Sequence, residues 1–126
     1  MTSETYARTF AAAFTRHDAA ALAQGLADDG TLLTLTGQWA QGPVAAQHAF
    51  ADEFSGIFAN ARLVTGKNTV RVLAPRITLI HQRYVVTGAR DEQGSDLPRF
   101  AAMLVAVLGA LEGDFRALSL TFVAVP

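Results

Sequence analysis

Apolar residues recur at two spacings along this chain, and the change from one to the other divides it. Up to about residue 60 the spacing is helical. Tyr6, Phe10 and Phe14 stand four apart, which puts three rings on one face of a helix that ends near Arg16-His17. Asp18 suits the N-cap of a second helix over residues 19–27, where Leu22 and Leu26 share a face. Asp28-Asp29-Gly30 reads as a turn, 31–35 as a short strand and 36–42 as a loop. Pro43 fits the first turn of a third helix with a buried stripe of Ala46, Phe50, Phe54 and Ile57.

Beyond residue 60 the pattern is that of strands. Residues 62–73 bend at Gly66, and Pro75 separates them from 76–87, rich in β-branched residues. Residues 88–98 form a polar hairpin loop. Two long strands, 99–111 and 115–125, are joined by the tight turn Glu112-Gly113-Asp114 and pair antiparallel. Helices followed by a strand meander predict an α+β domain over residues 1–126, three N-terminal helices packed on a curved antiparallel sheet.

The last two strands are apolar on both faces. Phe100, Ala102, Leu104 and Ala106 share one face; Ala101, Met103, Val105 and Val107 share the other. A sheet with one wet face alternates apolar with polar. Helices cover only one side, so either the sheet curls over its own second face or a second copy of the chain covers it. A homodimer through the sheet is the expected partner arrangement. The 51% hydrophobic content and mean hydropathy of +0.25 point the same way.

Composition removes several function classes. Net charge is −1, with ten basic and eleven acidic residues, so no basic excess exists to meet nucleic acid. There is no cysteine, hence no disulfide, thiolate metal site or cysteine nucleophile. The start, Met1-Thr2-Ser3-Glu4, has no basic stretch before an apolar run, and the run at 100–111 is too short to span a bilayer. A cytoplasmic protein without membrane attachment is expected. Gly-x-Gly-x-x-Gly, P-loop and Gly-x-Ser-x-Gly patterns are absent, and no cofactor is expected.

The order of these pieces carries a resemblance. An aromatic first helix closes at Arg16-His17-Asp18. "ALAQGLADDGTLL" follows at 21–33, then Gly37 and Gly42, "VRVLAPRITLIH" at 70–81, and Gly113-Asp114-Phe115-Arg116 at the last turn. From about Tyr6 to Val123 the chain resembles the NTF2-like superfamily, in particular its SnoaL-like and SgcJ/EcaC-type branch. The resemblance implies a cystatin-like cone: a curled sheet around a cavity plugged by helices, often dimeric through the sheet. The superfamily spans isomerases, dehydratases, cyclases, hydrolases and association modules, so the fold does not select a function. Phe115 stands where members often carry tryptophan. Against the ketosteroid isomerase pattern, Phe10 falls at the oxyanion-hole tyrosine and Thr34 at the base. Neither supplies that chemistry.

The remaining acid–base candidates are His17, His48 and His81. Their spacing fits no metal site. His17 belongs to a turn, as a solvated or helix-end residue, and His48 with Asp52 reads as an exposed i, i+4 pair in preference to a His–Asp dyad. No carboxylate is placed inside a strand. His81 and Arg83 share one face with Ile77, Leu79 and Val85. One reading makes them donors in the pocket wall, with His81 doing acid–base work and Arg83 stabilising negative charge in an isomerase-, cyclase- or dehydratase-like step. The other turns that face to solvent or a partner chain, because parity does not say which way a face points. Trp39, the sole tryptophan, either closes over a ligand or packs on the third helix. Arg99 reaches the pocket rim or is solvated.

Two functions result. The first is a protein binding a small apolar or anionic ligand in an apolar cone pocket through Trp39, His81, Arg83 and Arg99. The second is a non-catalytic association module with the pocket filled by Phe10, Phe54 and Met103.

Overall fold

Three helices and six strands follow one another in the computed structural model, which describes residues 2–111 and 113–126. Glu112 of the expected last turn lies outside the described residues.

Helix α1 (Ser3–Thr15) starts at a capping box between Thr2 and Thr5 and buries Tyr6, Phe10 and Phe14. It ends in a Schellman arrangement. His17 takes φ +58°, its N–H donates to the Phe14 carbonyl, and the Asp18 N–H donates to the Ala13 carbonyl. Asp18 then caps helix α2 (Ala19–Gln24), its Oδ1 accepting from the Ala21 N–H at 3.0 Å. Helix α3 (Gly42–Phe54) carries Pro43 in its first turn.

Strands β1 (Leu26–Leu33), β2 (Trp39–Gln41), β3 (Arg62–Ala74), β4 (Ile77–Thr87), β5 (Phe100–Leu111) and β6 (Asp114–Val125) form one sheet in the order β2-β1-β6-β5-β4-β3. Its neighbours are antiparallel except β1 and β6, which run parallel. The sheet is therefore mixed rather than antiparallel throughout: α3 intervenes before the meander, and β1 enters beside the chain's last strand.

Two local expectations are corrected. Asp28-Asp29-Gly30 is a register shift inside β1, not a turn, so α2 stops earlier and the strand starts earlier. Gly30 is required there: a Cβ would sit 2.7 Å from the Ala117 carbonyl oxygen. Trp39 lies in a short strand pairing with Leu33, not in a loop.

The sheet has a helix side and an outer side. On β4, Thr78, Ile80, Gln82, Tyr84 and Val86 are buried, while Ile77, Leu79, His81, Arg83 and Val85 are half-buried. Tyr84 identifies the helix side, because its hydroxyl donates to the Ala7 carbonyl of α1. Cross-strand partners share a face. Ala102, Leu104, Ala106, Leu108, Leu120 and Phe122 therefore join the core, and Met103, Val105, Val107, Ser119, Thr121 and Val123 lie outside.

Strand β3 is an edge, and almost all of it is exposed. Its ladder slips between Thr65 and Asn68, at Gly66-Lys67. Gln82, 2% exposed, fastens this bulge. Its Nε2 donates to the Gly66, Lys67 and Arg83 carbonyls at 3.0, 3.3 and 2.8 Å, and its Oε1 accepts from Asn68 Nδ2 at 2.8 Å.

Candidate functional site

The space between helices and sheet is the first place to seek a site, and aromatic side chains occupy it. Phe10 stands at its centre, with ring centroids 5.3 Å from Phe122 and 6.3 Å from each of Phe14, Phe50 and Tyr84. Phe14 meets Phe54, Phe58 and Phe122 at 5.1, 5.8 and 5.9 Å. Edge-on and offset pairs of this kind are the geometries that rings favour. The crevice beside them, between α1 and α2, is about 10 Å³, room for about one water. A wider hollow of about 490 Å³, lined by Thr9, Gln24, Asp28 and Arg116 among others, is open to solvent outside this ring cluster.

The polar groups inside the fold serve the fold. The Tyr6 hydroxyl donates to the Gly25 carbonyl at 3.2 Å, and the Tyr84 hydroxyl holds α1 to the sheet. Burial pushes both phenols well above their ordinary range; the nearby Tyr6 adds a smaller upward effect on Tyr84. Among the described residues no buried side-chain nitrogen or oxygen lacks a partner.

Glu53 is an ionisable group that the sequence expectations do not single out. It is 4% exposed on the inner face of α3. Its Oε2 accepts from the Thr36 hydroxyl at 2.5 Å and the Thr36 N–H at 3.2 Å. The neighbouring Asp52 accepts from Gln38 Nε2 at 3.1 Å, so two consecutive acids tie the 34–38 segment to α3. Burial raises the Glu53 pKa; hydrogen bonds from Thr36 and Thr34 oppose that rise without cancelling it. A signal existed in the sequence, since Glu53 continues the Ala46, Ala49, Phe50 stripe at helical spacing.

None of the four expected ligand residues lies among the rings that fill the cone. His81 and Arg83 point to the outer side of the sheet, because the parity of β4 puts Gln82 inward instead. Trp39 is 66% exposed and lies on that same outer side: it pairs with Leu33, whose row continues through Thr121, Val105 and His81 to Thr69. Arg99 is exposed in the segment before β5. The structure thus brings Trp39, His81 and Arg83 to one face, but not to the pocket wall. Met103, expected as a plug, is on the outer face too, whereas Phe10 and Phe54 belong to the ring cluster.

His48 and Asp52 are both exposed, as their place on the helical wheel implies. His17 is a helix-end residue, half-buried just past the C-cap of α1. Its Nε2 lies 3.1 Å from the Ala61 carbonyl oxygen and its ring meets Phe54 edge-on. Asp28 and Asp29 in β1, and Asp114 at the start of β6, are strand residues, contrary to expectation; Asp28 and Asp29 remain exposed. Among the described residues no three His, Asp or Glu side chains cluster to hold a metal ion, and no helix is long and apolar enough to cross a membrane.

No protein-family model matches the sequence, and no curated protein is similar enough to count as a relative. Solved structures do match. An uncharacterised protein with a cystatin-like fold from Caulobacter vibrioides shares 17% identity at a TM-score of 0.87, over 98% of this chain and 87% of that one. A putative calcium/calmodulin dependent protein kinase II association domain from Xanthomonas campestris shares 19% at 0.80, over 98% and 85%. A ketosteroid isomerase-like protein from Erwinia carotovora atroseptica shares 15% at 0.78, over 98% and 93%. The chain has the cystatin-like fold of NTF2-like proteins, an α+β cone with helices on a curved mixed sheet.

Proposed function

We propose that this chain is a non-catalytic association module that pairs with a second copy of itself through the outer side of its sheet. The observation that carries this reading is the ring cluster of Phe10, Phe14, Phe50, Tyr84 and Phe122, which fills the interior between helices and sheet where a ligand of the cone would sit. The competing reading, a small-ligand protein working through His81 and Arg83, needs those side chains inside the cone, and they are outside it.

The outer face has the chemistry and the size for a partner. Leu79, Val85, Met103, Val105, Val107 and Val123 make it mainly apolar. Strands β3 to β6, of eleven to thirteen residues, extend at least about 37 Å, and these four neighbours span about 19 Å. The product is about 700 Å², near the roughly 800 Å² each partner contributes to a standard interface. The similarity to a structure described as an association domain fits this use of the fold.

Sedimentation velocity tests the proposal. The wild-type chain is expected to sediment as a dimer, and Val105→Asp, at the centre of the outer face, as a folded monomer. A wild-type chain that stays monomeric at high concentration ends the proposal.

A further inference from the structure

The outer face is not uniform, and its asymmetry bears on how two copies meet. Residues on one half carry positive charge: Arg62 and Arg71 on β3, with His81 and Arg83 on β4. On the other half the residues facing these rows are uncharged: Ser119, Thr121 and Val123 on β6, Thr31 and Leu33 on β1, Gln41 and Trp39 on β2. Asp114 and Arg116, neighbours of opposite sign, stand apart at the start of β6, opposite Leu111 and Gly109. Neither His81 nor Arg83 has a side-chain partner among the described residues.

Resting on the association reading above, we infer that the two copies are related by a two-fold axis running along the strands between β5 and β6, so that each cationic half covers the other chain's uncharged, tryptophan-bearing half. A two-fold interface is self-complementary, so whatever one half lacks the other must supply. With this axis, β6 lies over the partner's β5, β1 over its β4 and β2 over its β3. The row through His81 then folds onto itself. Thr121 meets the partner's Val105, Leu33 meets the partner's His81, and Trp39 meets the partner's Thr69. Arg71, two residues along the same face, comes within stacking reach of the partner's Trp39 ring, a favourable cation–aromatic contact. An axis across the strands does the reverse. It stacks β4 on β4 and β3 on β3, and concentrates the cations of both chains in one strip about 10 Å deep, where water no longer screens them. The inference also accounts for Trp39, the largest side chain left open to solvent. Its ring is the kind of anchor that dominates interface energetics.

Cross-linking tests the pairing cleanly, because the chain has no cysteine of its own. Two single-cysteine chains, Leu33→Cys and His81→Cys, are treated separately and mixed with a bifunctional thiol reagent spanning about 10 Å, the distance between facing sheets. The expected result is a cross-linked dimer in the mixture and little in either chain alone. Cross-linking of His81→Cys with itself, or no mixed product from chains that sediment as dimers, overturns the pairing while leaving sheet-face association intact. Chains that sediment as monomers overturn the association reading as well. Trp39→Ala, at an exposed position that leaves the fold alone, is expected to raise the dimer dissociation constant at least tenfold. An unchanged constant removes Trp39 from the interface and overturns the proposed overlay.

Discussion

Phe10→Ala is the substitution that asks most directly whether the cone is filled. Phe10 is 4% exposed and touches four other rings. Truncating a buried phenylalanine costs about 3–5 kcal/mol, the sum of lost transfer free energy and the cavity left behind. The upper part of that range applies here. The neighbouring rings belong to α1, α3, β4 and β6, so no single element can shift inward to close the gap, and each lost ring pair adds about 0.5–1.5 kcal/mol beyond area burial. For a chain of this length about 4 kcal/mol corresponds to a fall in Tm of roughly 10–20 °C. The vacated space is lined by aromatic carbon, and apolar cavities of that kind stay dry and take up small apolar molecules. Urea unfolding and thermal melts are to be measured on wild type, Phe10→Leu and Phe10→Ala, with and without benzene. Wild type should ignore benzene, Phe10→Leu should lose only about 1 kcal/mol, and Phe10→Ala should recover part of its lost Tm when benzene is present. A loss below about 1.5 kcal/mol, together with wild type stabilised by benzene, refutes the reasoning. It would mean that Phe10 borders an open pocket.

Three further outcomes are expected. Gly88 has φ +79°, and a Cβ there runs into the Asn60 carbonyl oxygen, whereas Gly37 has φ +86° with open space around it. Gly88→Ala should therefore cost well over the roughly 1 kcal/mol expected for Gly37→Ala, and equal losses in urea unfolding would refute the steric argument. Asp18→Ala removes the cap of α2 and should cost about 1 kcal/mol, read as a lower urea midpoint with an unchanged slope. Glu53 has a raised folded-state pKa, so the folded chain binds its proton at a pH where the unfolded chain does not. Its contribution to stability therefore grows as pH falls from above that raised value toward the ordinary carboxylate value of about 4.3. The difference in unfolding free energy between wild type and Glu53→Gln should rise over that window, and a flat or opposite trend would contradict the assignment.

Periodicity makes most of the fold legible in the sequence alone. The aromatic face of α1, the Asp18 cap, Pro43 in α3 and the bend at Gly66 are local chemistry, and local chemistry is written in neighbouring residues. What escaped depends on distant partners. Asp28-Asp29-Gly30 has turn composition, yet the Ala117 backbone of β6 passes close enough to admit only glycine, and the segment becomes part of a strand. Parity put His81 with Arg83 and Gln82 on the opposite face, but the direction of those faces is decided by where α1 packs, through Tyr84 and Ala7. Glu53 was missed for a related reason. A carboxylate on a helix reads as solvated until Thr36, seventeen residues away, is brought against it.

The bulge on β3 has a consequence for solubility. An exposed edge strand is a template on which further chains can polymerise, and β3 offers thirteen residues with Val64, Val70, Val72 and Leu73 uncovered. The offset at Gly66-Lys67 interrupts the straight run of backbone donors and acceptors that fibre growth requires, and Gln82 clamps the offset from within. The chain's only lysine sits at that interruption. The same amide that looks, from inside, like a routine satisfied core residue acts at the molecule's rim as a guard against filaments.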